Sequence, residues 1–187
     1  MNKLLAAAAL AVASAPAFAA ETYVIDPTHT YPMFEVSHLG FSTTRGGFNK
    51  TDGKIVLDMA KKTGSIDIVI DATSLTTPVP KLDDHLKNED FFNVAKYPTI
   101  TFKSNQLAFE GDALKSVTGD LTMHGVTKPV TLEVTHFACK EHPMTKKPHC
   151  GADAHTTIQR SEWGISSYSP AVGEDVKLKI QVEATRQ

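Results

Sequence analysis

The closing segment "VKLKIQVEA" constrains the fold more than any other stretch. Val176, Leu178, Ile180, Val182 and Ala184 share one face of an extended chain, and Lys177, Lys179, Gln181 and Glu183 share the other. Side chains of a strand alternate between two faces, so this period of two describes a strand buried on one side and wet on the other. The pattern recurs in "SIDIVIDA" (Ile66, Ile68, Ile70, Ala72) and in "PVTLEVTHFAC" (Val130, Leu132, Val134). In "SVTGDLTMHG" it aligns Val117, Leu121 and Met123, with Gly119 leaving space among them. Further strands are expected at Tyr23–Ile25, Phe34–His38, Lys54–Asp58, Thr99–Asn105 and Ala152–Arg160. Strands of this half-wet kind pair antiparallel.

Turn signals fall between the strands: Asp52-Gly53, Lys62-Thr63-Gly64, Gly111-Asp112, Gly125 ahead of Lys128-Pro129, and Gly173. There is no internal repeat, low-complexity run or linker, so one all-β domain is expected over residues 20–187. Such a chain is long enough for a sizeable core. About eight strands can make a sandwich or a closed barrel, and periodicity does not choose between them. The supply of aromatic and small apolar residues for one inner face favours a barrel with room for a small ligand.

The first residues address the chain rather than shape it. Lys3 precedes an alanine-rich apolar run, Leu4 to Ala15, and Ala17-Phe18-Ala19 fits the small-x-small rule of signal peptidase. Cleavage is expected after Ala19, with export most simply to a bacterial periplasm. Losing Lys3 moves the formal net charge from −2 to −3, too near neutral for a nucleic-acid partner. No later apolar run is long enough to span a bilayer. In an oxidising compartment the two cysteines, Cys139 and Cys150, are expected to form a disulfide, worth ~3 kcal/mol on the chain-entropy model. A metal site from Cys139, His142, His149 and Cys150 is the competing expectation, but the spacing matches no standard zinc pattern.

The stretch "KLDDHLKNEDFFNVAKYPTITFKS", Lys81 to Ser104, interrupts the strands. Leu82 and Leu86 at i,i+4 predict a short amphipathic helix near residues 81–90 that covers the end of the sheet. Asp83, Asp84 and His85 side by side invite an acid–base reading, that of a small hydrolase or isomerase. No nucleophile motif accompanies them, and the structural expectation is that an aspartate caps the helix while His85 hydrogen-bonds across the rim. The apolar Phe91-Phe92 pair follows directly.

Several stretches together resemble the YceI-like family, periplasmic polyisoprenoid-binding proteins of lipocalin-like fold. They are "YVIDPTHTYPMFEVSHLGFSTTRGGF", "DDHLKNEDFFNVAKYPTITFKS", "VTGDLTMHGVTKPVTL", "CGADAHTTIQRSEWGIS" and "VKLKIQVEA". The chain departs from the usual pattern at Pro32, where a strand should start or bulge, and at Glu162-Trp163, where Asp-Phe is common. The resemblance implies an extended antiparallel β-barrel enclosing a long apolar tunnel for an isoprenoid or similar amphiphilic lipid. It implies no catalytic role and no cofactor besides the lipid, and dimers occur among family members.

On that reading Phe34, Val36, Phe41, Phe48, Leu86, Phe91, Phe92, Phe102 and Trp163 are expected to wall the tunnel. His38, Arg45, Asp84, His85 and Arg160 are expected to meet the ligand head group, the arginines by bidentate hydrogen bonds to a phosphate or carboxylate. His38 shares a face with Phe34 and Val36. An ion pair at the barrel end is the other expectation for Arg160. A third class, a metal-binding stress protein, would combine His29 or His38 with His85 or His124, though no i,i+4 histidine pair or H-E-x-x-H is present.

Overall fold

The alternating segment that closes the chain becomes the seam of a barrel. In a computed structural model that describes residues 20–187, it forms β11 (Val172–Arg186), and the expected signal segment lies outside the described residues. The other strands are β1 (Glu21–Ile25), β2 (Tyr31–His38), β3 (Ser42–Phe48), β4 (Thr51–Asp58), β5 (Thr63–Asp71), β6 (Leu75–Thr76), β7 (Thr99–Glu110), β8 (Ala113–Met123), β9 (Val126–Glu141) and β10 (Pro148–Gln159). One helix, α1 (Pro80–Lys87), lies between β6 and β7.

Strand β11 pairs with β10 along most of its length, from Gln159↔Asp175 to His149↔Thr185. Its other edge is shared: β2 takes Val172 to Gln181, and β1 takes Ala184 to Arg186. The ring β1-β4-β5-β7-β8-β9-β10-β11 thereby closes, all antiparallel. Strands β2 and β3 extend β1 and β4 at the opposite end, so each pair acts as one kinked strand of an eight-stranded barrel. The kink between β1 and β2 is a turn in which Asp26 accepts hydrogen bonds from the Thr28 amide and hydroxyl, 2.8 and 2.6 Å. Pro32 falls at the start of β2, before pairing with β3 begins at Met33↔Gly47, so its missing N–H disturbs little.

Local chemistry explains the connections. Met123 pairs with Val126, and His124 and Gly125 between them have φ of 51° and 77°. Two consecutive positive φ values make the two-residue hairpin that suits the right-handed twist of strands. Asp52-Gly53 and Gly173, expected as turns, instead lie inside β4 and β11. At Gly53, φ is 152° and a Cβ would come 2.3 Å from the Asp67 carbonyl oxygen, so the glycine allows a close strand approach. Gly119 does leave space: a Cβ there would sit 2.7 Å from the Phe102 ring.

The helix begins with Pro80 in its first turn, where a missing N–H costs nothing. It ends at Lys87, short of residue 90, because the Asn88 side chain accepts the Asp90 N–H at 2.9 Å and turns the chain. The aspartate expected to cap it does something adjacent. Asp83 accepts from the Thr77 amide (2.7 Å) and hydroxyl (2.6 Å), fastening the preceding loop, while the N-cap is Val79.

Strand β6 covers only Gly47 and Phe48 of β3. The edge of Ser42–Gly46 away from β2 has no strand partner among the described residues. Here the barrel wall is incomplete, and α1 with Phe91 and Phe92 lines the inside instead. The core forms two clusters along the barrel: a large one from Phe34 to Ile165, and a smaller one at the far end built on Tyr23, Ile25, Leu57, Cys150 and Ala184.

Candidate functional site: an apolar tunnel through the barrel

Inward-facing positions of nearly every strand enclose a cavity of about 270 Å³. On β11 alone the lining residues Val176, Leu178, Ile180, Val182 and Ala184 span roughly 27 Å at 3.3–3.4 Å per residue. The cavity is therefore a tube along the barrel, not a pocket on its surface. Its far end is closed by Tyr23, Leu57, Leu114 and Cys150. Behind that end Tyr23 donates to Glu21 at 2.7 Å and Arg186 pairs with the same carboxylate. Burial, helped by Glu21, pushes the Tyr23 hydroxyl up to about 12.

Among the described residues, the only exposed ones in the lining are Met33, Ser37 and His38, all on β2. The tunnel thus opens beside the β2–β3 hairpin, where the wall lacks a strand. Phe34, Phe48 and Phe92 meet just inside, with ring centroids 5.5–6.2 Å apart in tilted and edge-on contacts.

Seven of the expected wall residues line the tunnel: Phe34, Val36, Phe48, Leu86, Phe91, Phe92 and Phe102. Phe41 does not. It stands 89% exposed on the hairpin turn, where strand alternation has lapsed. Trp163 is 1% exposed in a 3-10 turn after β10, and its indole donates to the Leu121 carbonyl at 3.1 Å; it packs the core outside the lining.

The expected head-group residues are scattered. His38 is at the mouth and Arg160 lines the interior. Arg45 points outward and pairs with Glu35 at 3.0 Å, because Thr44 and Phe48 on the same strand face in. Asp84 is exposed on α1. His85 lies outside the tunnel, its ring edge-on to Phe91 and Tyr168 and its Nε2 3.5 Å from Asp90. The Asp83–Asp84–His85 cluster therefore does not face the cavity.

Arg160 is 4% exposed and makes no ion pair among the described residues. It donates from Nε to Gly173 (2.8 Å), from Nη1 to Ile165 (2.9 Å) and from Nη2 to Val172 (3.0 Å), all carbonyls. The guanidinium clamps the loop between β10 and β11. Burial lowers its pKa, an effect Glu174 opposes.

Polar residues of the lining that the sequence did not suggest are Thr30, Ser37, Thr44 and Thr51. Thr30 is satisfied by Glu183, accepting from its amide and donating to its carbonyl. Thr51 is 1% exposed, and its hydroxyl finds no hydrogen-bond partner among the described residues. It sits just past the β3–β4 kink, facing the apolar tube.

Cys139 and Cys150 are cross-strand partners on β9 and β10 and form a disulfide. His142 and His149 meet edge-on beside it with centroids 5.1 Å apart, and His149 is held by Thr185 and Glu183. Among the described residues no three His, Cys, Asp or Glu side chains group in a way that could hold a metal ion. His29 binds Asp26 at the β1–β2 turn, and His124 reaches the Trp163 carbonyl from the β8–β9 turn, so the histidines lie far apart on the barrel.

The family model for the YceI-like domain matches residues 23–184. The chain belongs to the YceI-like family. It is 36% identical to Protein YceI of Escherichia coli O157:H7 over 177 residues, covering 93% of this chain and 92% of that one. A UPF0312 protein of Vibrio parahaemolyticus is 34% identical over 186 residues, covering 97% and 98%. Among solved structures, Burkholderia cenocepacia BcnA superposes with a TM-score of 0.74 at 25% identity, covering 86% of this chain and 99% of that one. A polyisoprenoid binding domain from Saccharophagus degradans shares the fold with a TM-score of 0.66 at 16% identity, covering 88% and 98%. The all-β, lipocalin-like barrel of this chain is thus shared by both solved structures.

Proposed function

We propose that the protein binds a long-chain amphiphilic lipid of isoprenoid type inside the barrel and acts as its carrier in the periplasm. The observation that carries this reading is the tube: long, apolar, closed at one end and open beside β2. Each five-carbon unit buried there contributes nominally ~4 kcal/mol at ~0.8 per CH₂. Ordering the chain and losing its free motion offset much of that. An apolar tube therefore gives affinity, and a few polar groups suffice to set orientation.

On this reading Phe34, Val36, Phe48, Leu86, Phe91, Phe92 and Phe102 wall the ligand. His38 meets its polar end at the mouth, and Arg160 supplies positive charge within. The unpartnered Thr51 hydroxyl would meet a polar group farther in. The polyisoprenoid ligand named for the Saccharophagus domain fits a tube of this shape. Residues 1–19 serve as a cleaved signal, residues 20–187 fold as one domain, and the role is non-catalytic, in keeping with a Asp83–Asp84–His85 cluster that faces away from the tunnel.

The test is titration with a fluorescent polyprenyl probe. Wild type should bind one probe per chain, and Phe92→Asp, which puts a carboxylate against the tube, should abolish binding while remaining folded. Equal binding by a folded Phe92→Asp protein would place the ligand elsewhere.

A further inference from the structure

The hairpin beside the tunnel mouth has a composition that the barrel itself does not need. From Val36 to Thr44 the chain reads "VSHLGFSTT", with no Asp, Glu, Lys or Arg, although 21% of the whole chain is charged. Its tip carries Leu39, 53% exposed, and Phe41, 89% exposed. Tyr168, 52% exposed, stands in the neighbouring loop, which is tied to the tip by the Leu39 amide donating to the Ala171 carbonyl at 2.7 Å. The tip is fixed as well as apolar: Leu39 and Gly40 have φ of 54° and 72°, and the Phe41 amide donates to the His38 carbonyl at 3.0 Å.

We propose that this tip inserts into a lipid bilayer and sets the tunnel mouth against the membrane, so that a lipid chain enters without crossing water. The inference rests on the lipid-carrier reading above. Three observations select a bilayer over a second copy of the chain. The apolar groups stand on a narrow protruding turn, which a fluid hydrocarbon layer accommodates without a matching socket. They are continuous with the mouth, since Ser37 and His38 lead straight from the lining into the tip.

The third is charge. Below the tip on the outer face, Glu35 binds both Arg45 (3.0 Å) and Lys179 (2.9 Å), leaving one net positive charge. Arg45 is four residues from Phe41, roughly 13 Å along the strand. That places the cations near the anionic head groups when the tip lies in the boundary with the acyl chains, ~5–10 Å deep.

A reporter and a disabling variant test the surface separately from the tunnel. Phe41→Trp places an indole at the tip, against a constant background from Trp163, which is buried. With vesicles of phosphatidylethanolamine and phosphatidylglycerol its emission should shift to the blue and be quenched by brominated acyl chains. Leu39→Asn combined with Phe41→Ser should weaken vesicle partition by about tenfold or more per residue. Asparagine tolerates the positive φ at residue 39, so the melting temperature and the binding of a prenyl probe added from solution should stay as in wild type.

Emission unchanged by vesicles, or a double variant that partitions as tightly as wild type, would overturn the proposal. A wild-type dimer that the double variant turns into a monomer would also overturn it, making the tip a subunit contact. Vesicle partition without binding of the prenyl probe would remove the carrier reading and leave the membrane surface standing.

Discussion

The ring of Phe34 occupies the space that a side chain on Gly46 would need. An ideal Cβ at residue 46 would come 2.4 Å from Phe34 Cζ and 3.0 Å from the Thr77 methyl. Phe34 cannot retreat easily, because Phe48 and Phe92 pack against it. Gly46→Ala should therefore push the ring toward the tunnel, with an overpacking cost of roughly 1–3 kcal/mol. Chemical denaturation should register that loss, and affinity for a prenyl probe should fall with it. Unchanged affinity would show that the ring moves without narrowing the mouth.

Thr51 allows a test in which stability and binding move in opposite directions. Thr51→Val keeps the shape and removes a buried hydroxyl that has no partner. The free protein should be as stable as wild type or gain about 1 kcal/mol, whereas a ligand that uses the hydroxyl should bind several-fold more weakly. Thermal melts with and without bound lipid read both quantities. A variant less stable without lipid would mean that the hydroxyl already serves the fold.

The disulfide closes the β9–β10 hairpin, with Cys139 and Cys150 separated by 11 residues in sequence. Replacing both by alanine should cost about 3 kcal/mol. Urea unfolding should show a lower midpoint, and thiol labelling of denatured, unreduced wild type should find no free thiol.

Acid and base should loosen the β1–β2 turn from opposite sides. Burial pushes the Asp26 carboxyl up, but hydrogen bonds from Thr28 and His29 outweigh it and hold the pKa at about 2. Its contribution is complete above the unfolded value of ~3.9 and is lost as pH falls through the folded one. The hydrogen bond to Asp26 raises the His29 pKa, so that contribution is complete below ~6.5 and is lost as pH rises through the folded value. The difference in melting temperature between wild type and Asp26→Asn should peak between these limits. A flat difference across the range would show that the turn does not contribute.

Much of this architecture was legible because alternation is a direct physical signature. The strand cores at Val176–Ala184, Ile66–Ile70 and Val130–Val134 lie where period two puts them. The same rule identifies Arg45 as outward once Phe48 is inward, since residues three apart on a regular strand lie on opposite faces. Parity therefore keeps Arg45 out of the tunnel that Phe48 lines. Strand β3, "STTRGGF", carries almost no apolar alternation, so only its pairing with β2 reveals it. Tertiary packing also decided Trp163, whose aromatic character fits a wall and a core equally. Thr51 carried no signal at all, because an isolated threonine beside Asp52-Gly53 reads as a turn residue until the kink turns it inward.

If the tube holds one long-chain lipid, native mass spectrometry will show it. Protein expressed in cells from the full-length sequence and purified without detergent should show, beside the free chain, a species heavier by one lipid. Denaturation should release that mass into organic solvent, and Phe92→Asp should lack it. A chain that carries only a metal ion or a small polar molecule, or that shows the same lipid adduct in folded Phe92→Asp, would contradict the account.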